Sequence, residues 1–262
     1  MSTPGSLRLA LVQRSSTLDA EENRAAVSAA GERLEPETGL VVFPEAFMRD
    51  FGAPGSDVSA HAEPLDGAFV DHLTGFADQH RTTVVAGMFE TSDDPDRPYN
   101  TVVVVDRDGL RASYRKIHLY DSFGYRESDR LLAGPVEPVV VDVEGMSVGV
   151  MTCYDLRFPE LARELVSRGA ELLVLPSAWV AGPAKVEHWR TLALARAIEN
   201  TVFVAAAGQP GPRYTGHSIV AGPSGEVIAE VGDGDHLVVA TVERERLEQA
   251  RVANPSLANR RF

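Results

Sequence analysis

The chain of 262 residues has a single cysteine, Cys153. A lone thiol excludes an intrachain disulfide framework, suits a reducing compartment and leaves no second sulfur for a zinc site. The 7 histidines are scattered, with no His-Glu-x-x-His pair. No apolar run approaches the roughly 20 residues that span a bilayer. Residues 1–6, Met-Ser-Thr-Pro-Gly-Ser, read as a short polar lead rather than a signal peptide. Positive charge is scarce: 25 Lys and Arg face 38 Asp and Glu, a formal net charge of −13. That balance argues against nucleic acid or an anionic membrane as the partner, and most of the acids read as a solubilising surface. A Pro/Gly/Ser-rich linker is also missing, so residues 1–262 read as one domain, expected in the cytoplasm.

What is present is a chain of short apolar strands alternating with amphipathic helices. Strands are expected over 7–13, 40–43, 83–89, 101–105, 139–143, 146–151, 172–175 and 201–207. Helices are expected over 19–34, capped by Asp19, and over 66–80, 158–169 and 186–200. Hairpin turns are read at Asp106-Arg107-Asp108-Gly109 and at Glu144-Gly145. The runs 218–221, 227–231 and 237–242 read as a meander turning at Gly222-Pro223-Ser224-Gly225, followed by a closing helix over 243–252. So many strands exceed a comfortable single twisted sheet. Two packed sheets, each covered outside by helices, would bury strands on both faces and account for their continuous apolar character. The fold class read here is therefore α/β, a four-layer αββα sandwich of two mixed sheets. The hairpins ending near Gly109 and Gly225 hint at two similar halves.

Cys153 sits where one strand runs into a helix, in Val150-Met151-Thr152-Cys153-Tyr154-Asp155-Leu156-Arg157-Phe158-Pro159-Glu160. A thiol at such a corner can point into a pocket, near backbone N–H groups that stabilise a thiolate or an oxyanion. Alone, it reads equally as an inert core residue. Three more segments end strands with chemistry-bearing side chains: Phe43-Pro44-Glu45, Tyr114-Arg115-Lys116-Ile117-His118-Leu119-Tyr120 and Phe123-Gly124-Tyr125-Arg126-Glu127. Each has a plain reading: a helix-cap partner for Glu45, solvated charges for Lys116 and Glu127, a satisfied loop histidine for His118. Strand C-termini are nevertheless where α/β folds assemble their sites.

Together the Glu45, Lys116 and Cys153 segments, in this order, resemble the nitrilase superfamily of carbon–nitrogen hydrolases over nearly the whole chain, through Arg260-Arg261-Phe262. The resemblance implies Glu45 as general base, Lys116 as electrostatic stabiliser, Cys153 as nucleophile and Glu127 as a second, substrate-orienting glutamate. It also implies an αββα sandwich paired into a homodimer or larger assembly. Cys153 to Glu160, Gly182-Pro183, His188-Trp189, Ala195-Arg196-Ala197-Ile198-Glu199 and Gly216-His217-Ser218 are similar to the omega-amidase and deaminated-glutathione amidase branch. The chain departs from that branch in two places. Lys185-Val186-Glu187 intervene before His188-Trp189, and the loop from Lys116 to Glu127 is short.

The chemistry suits these residue types. A free thiol is only a few per cent thiolate at neutral pH, and a carboxylate in reach can take its proton as sulfur attacks a carbonyl carbon. Lys116 and the Tyr154 N–H can donate to the oxyanion, and two carboxylates balance one buried ammonium. No metal or cofactor is required. Tyr154, Arg157, His118 and Tyr120 are expected to line the substrate pocket, with Arg157 a candidate for a substrate carboxylate or else a partner of Glu160 or Asp155. Asp155 is expected to brace the corner or touch substrate. Trp179 and Trp189 are read as core or interface aromatics. The expected activity is hydrolysis of a small carboxylate-bearing amide, with water as the second substrate. The alternatives are an N-carbamoyl amidohydrolase, a nitrilase, or a catalytically silent binding protein.

Overall fold

The structure is a computed structural model that describes residues 5–261; residues 1–4 of the polar lead and Phe262 lie outside it. In chain order the elements are β1 (Ser6–Gln13), α1 (Ala20–Gly31), β2 (Leu40–Val42), α2 (Ala68–His80), β3 (Thr83–Glu90), β4 (Tyr99–Asp106) and β5 (Gly109–Arg115). A small hairpin, β6 (Asp121–Ser122) and β7 (Tyr125–Arg126), follows. Then come β8 (Val140–Val143), β9 (Met146–Val150), α3 (Pro159–Ser167), β10 (Leu172–Ser177), α4 (Lys185–Asn200), β11 (Phe203–Gly208), β12 (Ile219–Ala221), β13 (Val227–Glu230), β14 (His236–Glu243) and α5 (Arg244–Ala253).

Two six-stranded mixed sheets form, in the orders β14-β1-β2-β3-β4-β5 and β8-β9-β10-β11-β12-β13. Read in that direction, each runs antiparallel, parallel, parallel, antiparallel, antiparallel. The β4–β5 and β12–β13 hairpins take equivalent places in the two halves. Side-chain alternation builds the layers. Leu7, Leu9, Leu11, Leu40, Val42, Val102 and Val104 pack in one core with Val148, Val150, Leu172 and Val174 of the second sheet. Val41, Val84, Val103 and Val105 point the other way, onto Phe69, Val70, Leu73 and Phe76 of α2. Helix α4 covers the outside of the second sheet through Trp189, Ala193 and Ala197. The result is the αββα sandwich expected from the strand patterns.

Local chemistry explains most boundaries. Asp19 Oδ1 accepts from the N–H groups of Glu21 (2.8 Å) and Glu22 (3.3 Å), capping α1. Glu144 and Gly145 both lie in the left-handed region (φ 50° and 82°), the conformation a two-residue hairpin of the favoured twist demands. One expectation is corrected. The segment 237–242 does not continue the meander: β14 crosses to the first sheet and pairs antiparallel with β1 over Ser6↔Glu243 to Gln13↔His236. Its buried Val238, Ala240 and Val242 alternate with more exposed neighbours, the pattern of an edge strand with one face on the core. Gln13 secures the crossing, donating from Nε2 to the carbonyls of Gly232 (2.6 Å) and Gly234 (2.7 Å). Among the described residues no helix is long and apolar enough to cross a membrane.

Candidate active site

Cys153 opens a 3-10 turn, Cys153–Arg157, directly after β9. Its φ of 44° is a left-handed conformation that costs a non-glycine residue energy and persists only where the surroundings impose it. Those surroundings are specific. The Thr152 N–H donates to Asp155 Oδ2 (3.0 Å) and the Thr152 hydroxyl to the Pro176 carbonyl (2.9 Å). The Tyr114 hydroxyl donates to the same Asp155 Oδ2 (2.7 Å), and His118 Nδ1 lies 2.8 Å from Oδ1. Asp155 is fully buried. It braces the turn and ties the Cys153 corner to the end of β5, and it is not among the cavity residues. The N–H of Tyr154 falls in the first turn of the helix, where such groups have no intrahelical partner.

Glu45 follows β2, and its backbone presses against β3 at Gly87. A Cβ at Gly87 would stand 2.4 Å from the Ala46 nitrogen and 2.7 Å from the Glu45 Cα, so only glycine fits. Gln209 Nε2 donates to the Glu45 carbonyl (2.8 Å). Glu45 Oε1 accepts from Lys116 Nζ (2.9 Å) and Asn100 Nδ2 (2.8 Å), and Oε2 accepts from the Ala178 N–H (2.8 Å). Lys116 Nζ also donates to Glu127 Oε2 (2.9 Å) and Oε1 (3.2 Å). Glu127 is held further by the Tyr120 N–H (2.6 Å) and by Asn100 Nδ2 (3.2 Å). Glu45, Lys116 and Glu127 are at most 2% exposed. Burial alone would push the Lys116 ammonium down, but Glu127 and then Glu45 outweigh it and hold the group well above the ordinary lysine range. Burial, reinforced by the charge of Glu45, lifts the Cys153 thiol well above its ordinary range, with Lys116 pulling the other way.

These four side chains line one cavity of about 410 Å³. Tyr120, Tyr154 and Arg157 line it too; His118 does not. His118 is instead committed to Asp155 and stacked on Phe158 at 3.7 Å between ring centroids, which corrects its expected place in the pocket. Arg157 pairs with neither Glu160 nor Asp155. Its Nε and Nη2 are buried without a hydrogen-bond partner, and its guanidinium lies 4.8 Å from the centre of the Trp179 ring. Trp189 is a core residue, as read, but Trp179 forms part of the cavity wall. Sequence reasoning missed Asn100, Gly87 and Lys185. A buried polar residue at the start of an otherwise apolar strand was the available signal for Asn100, and the extra residues before His188 were the signal for Lys185. Among the described residues no group of three or more His, Cys, Asp or Glu is placed to hold a metal ion.

A strained thiol facing a carboxylate–ammonium–carboxylate cluster, at the strand ends of a two-sheet sandwich, defines an enzyme of the acyl-transfer kind. The carbon–nitrogen hydrolase family model matches residues 8–252, and the chain belongs to that family. It is 41% identical over 236 residues to the deaminated glutathione amidase of Escherichia coli O157:H7, covering 90% of this chain and 89% of the relative. It is 34% identical over 278 residues to the omega-amidase NIT3 of Saccharomyces cerevisiae (98% and 94% covered). The crystal structure of Saccharomyces cerevisiae Nit3, a member of branch 10 of the nitrilase superfamily, superposes with a TM-score of 0.87 at 31% identity over 98% of this chain and 97% of that one. An amidase from Nesterenkonia sp., carrying the acetamide moiety of fluoroacetamide on its active-site cysteine, superposes with a TM-score of 0.80 at 28% identity, 100% and 99% covered.

Proposed function

We propose that this carbon–nitrogen hydrolase is an amidase that releases ammonia from a small carboxylate-bearing amide through a thioester on Cys153. The observation that carries the reading is the convergence of Glu45, Lys116, Glu127 and Cys153 on one cavity that also presents the unpaired Arg157 guanidinium. Sγ attacks the amide carbon while Glu45 takes the thiol proton. The carbonyl oxygen becomes an oxyanion, held by the Lys116 ammonium and the Tyr154 N–H. Glu45 returns the proton to the departing nitrogen, the C–N bond breaks and ammonia leaves. Water, deprotonated by Glu45, then attacks the thioester; the acid is released and the thiol regains its proton. Glu127 keeps Lys116 charged and orients the substrate amide. Tyr120 and Tyr154 supply pocket wall.

Names of relatives support the substrate class: one is a deaminated glutathione amidase and one an omega-amidase. A homodimer in the cytoplasm accompanies this reading. The test is ammonia release from a panel of monoamides of dicarboxylic acids, with mass spectrometry of the intact protein. We expect turnover, an acyl adduct confined to Cys153, and none of either in Cys153→Ala. Glu45→Gln should lower kcat by about 10²–10⁴-fold, the usual cost of losing a general base. Carbon dioxide appearing with the ammonia would redirect the assignment to a carbamoylase, and turnover of nitriles alone to a nitrilase.

A further inference from the structure

The cavity holds more positive charge than its chemistry uses. Four of its lining residues are cationic and two acidic, in a chain whose formal charge is −13. Lys116 is matched by Glu45 and Glu127, and Arg213 by Asp50. Lys185 and Arg157 have no acidic partner among the described residues. Lys185 is only 8% exposed, and its ammonium's hydrogen-bond partner is the Tyr120 hydroxyl at 3.3 Å. Both cations lie against the same two rings: Lys185 Nζ is 3.8 Å from the centre of Phe123 and 5.8 Å from that of Trp179, while the Arg157 guanidinium carbon is 5.9 Å and 4.8 Å from them. Burial first, and then the charge of Arg157, pushes the Lys185 ammonium below its ordinary range.

Local structure makes Lys185 an expensive choice. It opens α4, at the positive end of the helix dipole, where acids are favoured. The preceding Ala184 takes a left-handed φ of 57°, and Trp179 Nε1 donates to the Lys185 carbonyl (3.0 Å), fixing the backbone there. A lysine that violates dipole, burial and charge preferences together, with no compensating acid, is placed for something the fold does not contain.

We propose that Lys185 and Arg157 together seat a carboxylate of the substrate, and that Lys185 is the residue selecting amides whose acyl chain ends in a carboxylate over uncharged amides of equal length. This rests on the amidase reading and deepens it. A carboxylate supplies the charge the two cations lack, whereas a neutral chain leaves both desolvated and unpaired, so the seat both attracts the acid and rejects its neutral analogue. The Trp179 ring, itself buried, backs both cations on one side.

The test compares succinamic acid with butyramide as substrates for the full chain, its Lys185→Met variant and its Lys185→Arg variant. The ratio of kcat/KM for succinamic acid over butyramide should fall about 10- to 100-fold in Lys185→Met, the range expected for one lost charge-assisted contact. The loss should sit in KM for succinamic acid rather than kcat, and Lys185→Arg should restore most of it. An unchanged ratio overturns the proposal. Calorimetric titration of succinate into Cys153→Ala, with and without Lys185→Met, reads the seat without turnover. Affinity at least tenfold weaker without Lys185 supports it; equal affinities, or no saturable binding to Cys153→Ala at tens of millimolar succinate, overturn it. If neither amide is cleaved, the full panel of monoamides decides the amidase reading, and the succinate titration still decides the seat.

Discussion

Asn100 is the hinge of charge at the residue scale. Its Nδ2 spends one hydrogen on Glu45 and the other on Glu127, the same two acids that share the Lys116 ammonium. The amide therefore spaces two like charges while keeping both paired, at the cost of leaving its own Oδ1 buried and unbonded. Asn100→Ala should lower kcat by about 10- to 100-fold, the worth of hydrogen bonds to charged groups, with a smaller change in KM. Asn100→Asp should lose more, because a third carboxylate would share the cluster, and should recover activity as pH falls and that acid protonates; a pH–rate profile of the two variants checks both. Burial and Glu45 hold the ionisation of the thiol beside this cluster well above the ordinary range, so in the proposed mechanism the proton leaves as sulfur attacks. The difference in ultraviolet thiolate absorbance between the natural protein and Cys153→Ala should be flat through neutral pH. The sign for stability follows. The folded state keeps a proton that the unfolded chain gives up near the ordinary thiol pKa, so this contribution is present below that pH and fades as pH rises beyond it.

At the scale of elements, the site depends on two close approaches. One is the corner after β9, where Asp155 gathers the Thr152 N–H, the Tyr114 hydroxyl and His118. The other is the crossing of β3 beneath Glu45, which leaves no room for a side chain at Gly87. Gly87→Ala should displace the Glu45 backbone. We expect a destabilisation of about 1–3 kcal/mol, the usual cost of overpacking, with a far larger proportional loss of kcat, read by denaturant titration alongside steady-state kinetics. Strand apolarity made the two sheets and most element boundaries legible from residue order, because a strand buried on both faces must be apolar throughout. The partner of β14 was not legible. An alternating edge strand suits either sheet, and the choice rests on contacts far apart in the chain, such as Gln13 with Gly234 (2.7 Å), 221 residues away. Glu45, Lys116 and Cys153 announced themselves as polar residues at strand ends. Gly87 and Asn100 did not, since their roles exist only once β3 and β4 lie beside Glu45.

For the whole molecule, electrostatics divides into an acidic exterior and a cationic cavity. A formal charge of −13 surrounds a pocket where Lys185 and Arg157 stand without acids. Such a pocket is bought with stability: a depressed lysine in the folded state means that folding must hold a proton it would rather shed. That cost is complete at pH below the folded-state value and is relieved as pH rises toward the range of a free lysine, where the unfolded chain also begins to deprotonate. Replacing the ammonium by an apolar side chain of similar length removes the cost. Lys185→Met should therefore raise Tm at neutral pH, while lowering the preference for acid-bearing amides. The gain should shrink as the buffer is made more alkaline. Thermal melts of the natural protein and Lys185→Met, taken in parallel from neutral to alkaline pH, check both the sign and its decline. A variant less stable at neutral pH would mean that the ammonium is matched within the fold itself, and that its place in the cavity wall is structural.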